Sequence, residues 1–396
     1  MPLLRRALAL CSILACARAP AVRPFRAVWI DGWASACDAK GFPPRRLPPF
    51  GALGFEVNDA NGSRTGNSGG ILYSTSSALP YPYRESGLVP FYEVPARCLP
   101  DDANCSAAKP INGGLPQALD LTAHVAALTR DIERQIPDPE ASGVYSFDWE
   151  FWWPVWERNG IGGPPGQPPP TSIYQNRSIM LVQQRHPDWD QQQLVAQAKR
   201  EWEAAARALF LATLRTAKAL RPNSLWGFYN YPNCDGPANG LPGVAPCSCT
   251  ASQNDELEWL WDEVTALQPS IYVLWDHPEN STRNAFYVDC QMAEANRVVA
   301  KRKARGPAGE LPVFAFVWPR YHSNHFDGHY APDARTYLRG ADMVAEFGRP
   351  ALLHGAAGVL IWGMKDDVIN DTQCNGPSSF GRWVNMSLGP YDSLYN

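Results

Sequence analysis

Gly143-Val144-Tyr145-Ser146-Phe147-Asp148-Trp149-Glu150-Phe151-Trp152-Trp153-Pro154-Val155-Trp156 decides how the chain is read. Val144, Tyr145 and Phe147 are strand formers, Gly143 opens the run and Pro154 lies just beyond its end. A strand alternates its side chains, so Ser146, Asp148 and Glu150 point one way and Tyr145, Phe147 and Trp149 the other. The aromatic face needs burial. The opposite face carries two carboxylates two residues apart. Two close acids repel and apolar surroundings disfavour ionisation, so one of them is expected to hold its proton to unusually high pH, as a general acid must. An Asp-x-Glu pair in an arbitrary strand would be a solvated strand end. The dense aromatic surroundings favour the catalytic reading here.

Outward from this stretch, strand and helix alternate. Strands are expected at 26–30, 71–73, 225–229, 269–274, 311–318 and 357–362, and helices at 119–136, 190–220, 256–267, 288–303 and 341–347. This order argues a parallel α/β fold, a single distorted (β/α) barrel of TIM type with loop insertions, for which 396 residues suffice. Several strands end in an aromatic or acidic residue: Tyr73, Glu150, Tyr229, Tyr272, Trp318 and Trp362. In a barrel those ends share one rim, where active sites lie. Pro-rich residues 159–171 read as a surface loop.

The N-terminus reads as a secretory signal over residues 1–19, with Arg5 and Arg6 before an apolar run and small residues at its end. The domain then spans 20–396, and the expected location is extracellular or the lumen of an acidic secretory compartment. Losing Arg5, Arg6 and Arg18 with the signal takes the formal charge from −4 to −7, which gives no general attraction to nucleic acid. No later stretch is apolar enough for a membrane span. Eight of the 10 cysteines lie beyond residue 19, and Cys247-x-Cys249 lacks zinc-site spacing, so disulfides are the better reading. Cys98 and Cys105 are close enough in sequence to bridge. Sequons at Asn61, Asn104, Asn176, Asn280, Asn370 and Asn385 agree with export.

Residues 147–154 resemble the Asp-x-Glu motif of the hyaluronidases, a family of animal and venom glycoside hydrolases. The similarity continues in His186-Pro187-x-Trp189, Leu225-Trp226-Gly227-Phe228-Tyr229, Asn254-Asp255-Glu256-Leu257, Pro269-Ser270-Ile271-Tyr272, Glu294-Ala295-x-Arg297-Val298 and Gly355 to Gly363. It covers roughly residues 24–391. The resemblance implies a distorted barrel, without metal or cofactor, acting as a monomer on a glycosaminoglycan-like polysaccharide. It implies cleavage of the β-1,4 bond after N-acetylhexosamine with retention, assisted by the substrate's own acetamido group. Glu150 would be the acid and then the base, Asp148 would orient and stabilise the acetamido group, and Tyr229 would hydrogen-bond it. Tyr73, Tyr272 and Trp362 would line the sugar cleft. Pairing of Cys37 with Cys374 is implied, and of Cys234 with a loop cysteine, Cys247 or Cys249.

The chain departs from that pattern at Trp153 and Gln291, where animal members usually carry Arg, and at Phe316, where Tyr is common. Two lost cations leave two alternatives open. One is a non-catalytic glycan-binding protein on the same fold. The other is a glycosidase for a neutral N-acetylglucosamine polymer.

Overall fold

The computed structural model describes residues 25–29, 55–57, 69–72, 114–149, 152–160, 172–234, 247, 251–275, 279, 281–306, 309–318, 320–321 and 338–362. Seven strands are described: β1 (Arg26–Trp29), β2 (Phe55–Val57), β3 (Gly69–Leu72), β4 (Val144–Phe147), β5 (Leu225–Phe228), β6 (Phe314–Val317) and β7 (Gly358–Ile361). The helices are α1 (Leu121–Gln135), α2 (Ser172–Arg185), α3 (Gln191–Leu220), α4 (Ala251–Asp255), α5 (Glu258–Trp261), α6 (Ser281–Ala304), α7 (Gly340–Met343) and α8 (Arg349–His354).

All the ladders are parallel. One sheet runs β2-β1-β7-β6 and the other β3-β4-β5. Residues 265–271 join them. On one side Thr265 N donates to Trp226 O at 2.9 Å, and Asn230 N to Gln268 O at 2.9 Å. On the other, Phe314 N donates to Leu267 O and Phe316 N to Pro269 O, both at 2.8 Å. With β1 and β3 close to one another, the strands curve into the distorted (β/α) barrel that the alternating pattern predicts.

The barrel separates two cores. Val28, Val144, Ala266, Tyr272, Phe314, Phe316, Trp318 and Leu360 pack together inside it. Ala27, Tyr145, Phe147, Trp226, Phe228, Ile271, Ala315, Val317, Val359 and Ile361 belong to the larger cluster shared with the helices. β1, β4, β5, β6 and β7 therefore send alternate residues to opposite cores. Two inward positions admit only glycine. A Cβ on Gly358 would lie 2.6 Å from the Phe314 ring, and one on Gly227 would lie 2.7 Å from the Gln268 side chain.

α3 matches its expected span. Asp190 caps it by accepting from Gln193 N at 2.8 Å, and Gln193 returns a bond to Asp190 N, a reciprocal capping box. Its buried face includes Leu194, Ala198, Trp202, Ala206, Leu209, Leu214 and Ala217. α1 also forms, with Leu121 exposed and His124, Ala127, Leu128, Asp131 and Ile132 buried. The expected helix over 256–267 breaks after Trp261, because residues 265–271 are drawn into the barrel wall. The expected strand at 269–274 is reduced to isolated bridges at Leu267 and Ser270, since Pro269 has no N–H for a ladder. β2 and α2 were not expected from the sequence.

His124 is buried beneath Trp149, its ring edge-on at 6.1 Å, and its Nε2 lies 2.9 Å from Thr213 Oγ1. Burial lowers its pKa from 6.5 to about 4. Between those values the unfolded chain binds a proton that the folded chain does not, so stability falls as pH drops from 6.5 toward 4. His124→Gln removes that contribution. In urea unfolding at a series of pH values, the stability of the native protein relative to His124→Gln is expected to fall by roughly 3 kcal/mol across this window. A pH-independent difference would contradict this.

Candidate functional site

β4 sets the site. Tyr145, Phe147 and Trp149 are all buried on the outward face. Trp149 meets Phe210 of α3 edge-on at 5.0 Å and lies 5.8 Å from Trp152, which meets Trp202 at 5.9 Å. These are favourable offset and edge-to-face geometries for large rings. Ser146 and Asp148 occupy the opposite face. Asp148 is half-buried, directly after the last β4 residue.

Tyr229 follows β5 at the same level, and its N donates to Phe147 O at 2.9 Å. Its hydroxyl donates to Ser270 Oγ at 3.2 Å, and its ring stands edge-on to Phe316 at 4.8 Å. Asn230 then takes a left-handed conformation (φ 61°), which asparagine tolerates, and turns the chain away. Tyr272 lies 6.0 Å from the Tyr229 ring and 5.9 Å from the Trp318 ring. Trp362, half-buried, follows β7, with its N donating to Val317 O at 2.8 Å. Tyr229, Tyr272 and Trp362 all pack on the inner core. Together with Asp148 they occupy the C-terminal ends of β4, β5, the 265–271 segment and β7, on the rim that supports active sites in this architecture.

Glu150, Tyr73, Cys37, Cys374, Cys98, Cys105 and Cys249 lie outside the described residues.

Sequence reasoning missed the inner polar groups. Gln268 is fully buried, and its Nε2 donates to Tyr145 O at 2.8 Å across the space left by Gly227. Ser270 receives the Tyr229 hydroxyl. Ser270 stands in a motif beside Tyr272, which was the available signal. Gln268 had none, because its role depends on the barrel closing around it.

The two positions that depart from the expected arginines serve different ends. Trp153 packs on Tyr231 at 5.0 Å, and the Arg158 guanidinium sits 3.6 Å over its ring, a cation–π contact. A cation therefore stands beside position 153. Gln291 is buried, accepting from Cys234 N at 3.1 Å and donating to Cys234 O at 3.3 Å. It supports the disulfide region.

Cys247 pairs with Cys290, for which the sequence offered no partner. Cys234 is also disulfide-bonded, to neither of those two, so the Cys247 alternative for Cys234 falls. The reason is topological: α6 carries Cys290 to Cys247. Elsewhere Glu157, Glu203 and Glu256 lie close together, but Lys199 sits among them, bonded to Glu157 and 3.7 Å from Glu203. Among the described residues, no helix is long and apolar enough to cross a membrane.

Comparison with known proteins places this geometry among relatives. The family model described as hyaluronidase matches residues 98–393. The chain is similar to hyaluronidase-2 of Rattus norvegicus, 32% identical over 352 residues, covering 88% of this chain and 65% of that one. It is 32% identical over 305 residues to a chondroitin hydrolase of Caenorhabditis elegans, covering 77% and 61%. It thus spans under two thirds of the length of these curated relatives. The crystal structure of bee venom hyaluronidase in complex with a hyaluronic acid tetramer superposes with a TM-score of 0.72 at 26% identity, covering 93% of this chain and 98% of that one.

A non-reducing proteolytic digest is expected to release one peptide pair joining Cys247 to Cys290. A pair joining Cys234 to Cys247 would contradict the described pairing.

Proposed function

The chain belongs to the hyaluronidase family of glycoside hydrolases, and from that premise we propose that it is a secreted endo-β-N-acetylhexosaminidase. It hydrolyses β-1,4 bonds after N-acetylhexosamine in hyaluronan- or chondroitin-like polymers. The observation that carries this reading is the convergence of Asp148, Tyr229, Tyr272 and Trp362 on one barrel rim. The hyaluronic acid tetramer in the similar bee venom structure and the chondroitin hydrolase among the relatives support the substrate class.

In this reading Glu150 protonates the glycosidic oxygen as the bond to the anomeric carbon breaks. The acetamido carbonyl oxygen of the substrate attacks that carbon from the other side, so no protein nucleophile is required. Positive charge develops on the acetamido nitrogen. Asp148 stabilises that charge and holds the group in place, the work of a preorganised carboxylate in a half-buried setting. Tyr229 fixes the acetamido group through its hydroxyl, which Ser270 already holds in place. Glu150, now ionised, takes a proton from the water that opens the cyclic intermediate, and the configuration is retained. Tyr272 and Trp362 offer apolar faces on which pyranose rings rest. Residues 1–19 are removed as a signal, residues 20–396 form the domain, and the protein acts outside the cell or in an acidic lumen as a monomer.

The choice of polymer is testable together with the chemistry. Purified protein is assayed for new reducing ends from about pH 3.5 to 8 on hyaluronan, chondroitin and chitin oligomers. Turnover on hyaluronan or chondroitin is expected, with Glu150→Gln lowering it by about 10²- to 10⁴-fold, the usual contribution of a general acid. Tyr229→Phe is expected to cost about tenfold, one hydrogen bond to the reacting group. Turnover on chitin alone would move the substrate to a neutral polymer. Binding without turnover, or a Glu150→Gln variant as active as the native protein, would overturn the reading.

A further inference from the structure

Glu346 is fully buried, in the π-helical turn Val344–Gly348 between α7 and α8. Burial pushes its carboxyl well above the ordinary carboxylate range. An acid in such a place costs stability unless its oxygens are used. Both are. Oε2 accepts from Val273 N at 3.0 Å, and Oε1 accepts from Trp318 N.

Those two amides belong to neighbouring barrel strands at the level where their pairing stops. Up to that point the pairing follows a parallel ladder save for the donor that Pro269 lacks, with Leu267 N to Pro312 O, Phe314 N to Leu267 O, Phe316 N to Pro269 O and Ile271 N to Phe316 O at 2.8–3.0 Å. A parallel ladder has evenly spaced bonds, so the next donor would be Trp318 N to Ile271 O. The Glu346 carboxyl group takes that donor instead, together with Val273 N. A three-atom bridge replaces a direct bond, and it holds the two strands apart where the barrel opens. Tyr272 and Trp318 leave the two strands at this level. Both face the inner core, with ring centroids 5.9 Å apart. The same helical segment adds a second tie: Asp342 accepts from Asn284 Nδ2 at 3.0 Å and from the Tyr321 hydroxyl, and Asn284 bonds both backbone groups of Trp275.

We propose that Glu346 is a positioning residue for the carbohydrate-binding rim, bridging the ends of residues 267–272 and β6 and thereby setting the spacing of Tyr272 and Trp318. The proposal rests on the reading of Tyr272 as a residue of the sugar cleft. Glu346 touches no substrate. It acts through the backbone of Val273 and Trp318, so its loss changes how well the polymer is held more than how fast the bond breaks.

The test compares Glu346→Gln, Tyr272→Ala and the double variant by kcat and KM on hyaluronan or chondroitin oligosaccharides. Glutamine keeps the length but turns one acceptor into a donor, so one of the two amides loses its partner. Glu346→Gln is expected to raise KM about fivefold or more while kcat stays within about threefold. The double variant is expected to be no worse in KM than Tyr272→Ala, because both act on one contact. A Glu346→Gln enzyme with normal KM beside a Tyr272→Ala enzyme with raised KM would overturn the proposal and leave the reading of Tyr272 intact. A fall in active fraction alone would reduce Glu346 to a folding role and overturn it too. A raised KM in Glu346→Gln with Tyr272→Ala silent would overturn both the proposal and that reading. If Glu346→Gln does not fold, Glu346→Asp serves, since it keeps both acceptors but is too short to reach both strands. In the native protein the Val273 and Trp318 amides are expected to resist hydrogen exchange. Exchange at loop rates would show that the bridge does not hold.

Discussion

The two-faced register of β4 governs the rest of the molecule. Its outward side chains, Tyr145, Phe147 and Trp149, enter an aromatic core with Trp152, Trp202, Phe210, Trp226 and Phe228. Truncating one ring in such a core typically costs about 3–5 kcal/mol. A slip of one residue would carry Asp148 into that core and turn the rings into the barrel, so the register is fixed by energies far larger than any local preference. The same register passes to β5 through paired bonds, which is why Tyr229 stands level with Asp148. The position of the acid follows from where the aromatics can be buried.

Much of this was legible in the residues, because strand alternation and helix capping are local. Tyr145/Phe147/Trp149 against Ser146/Asp148, the helix over 190–220, and Tyr229 and Trp362 at strand ends all follow from spacing. What the sequence hid depends on closure. Residues 265–271 were divided between a helix and a strand, yet they are a barrel stave held mainly by partners on either side. Pro269 denies them a regular ladder, and Gln268 and Ser270 add side-chain bonds to Tyr145 O and the Tyr229 hydroxyl. Cys290 gained its partner only when α6 was placed. The burial of His124 in α1 likewise depends on tertiary partners, Trp149 and Thr213.

Side chains add to the backbone pairing at two levels of the barrel and replace it at a third. Gln268 reaches to Tyr145 O low in the interior, Ser270 holds Tyr229, and Glu346 finishes the pairing at the mouth. A buried polar group is stabilising only when its partners are complete, and such groups confer rigidity when they are. The mouth is thereby built from fixed aromatics, and a fixed platform spares a flexible polymer the cost of ordering its receptor on binding. The cation over Trp153 adds charge beside β4 where the wider pattern led to an expectation of arginine.

The central claim is that the rim formed by Asp148, Tyr229, Tyr272 and Trp362 is where an N-acetylhexosamine polymer is held. Its most direct test is a crystal structure of the inactive Glu150→Gln variant with a hyaluronan or chondroitin tetrasaccharide. The account predicts the sugar lying across the C-terminal ends of β4, β5 and β7, with an acetamido group between Asp148 and the Tyr229 hydroxyl. An oligosaccharide bound at another surface, with this rim empty, would contradict it.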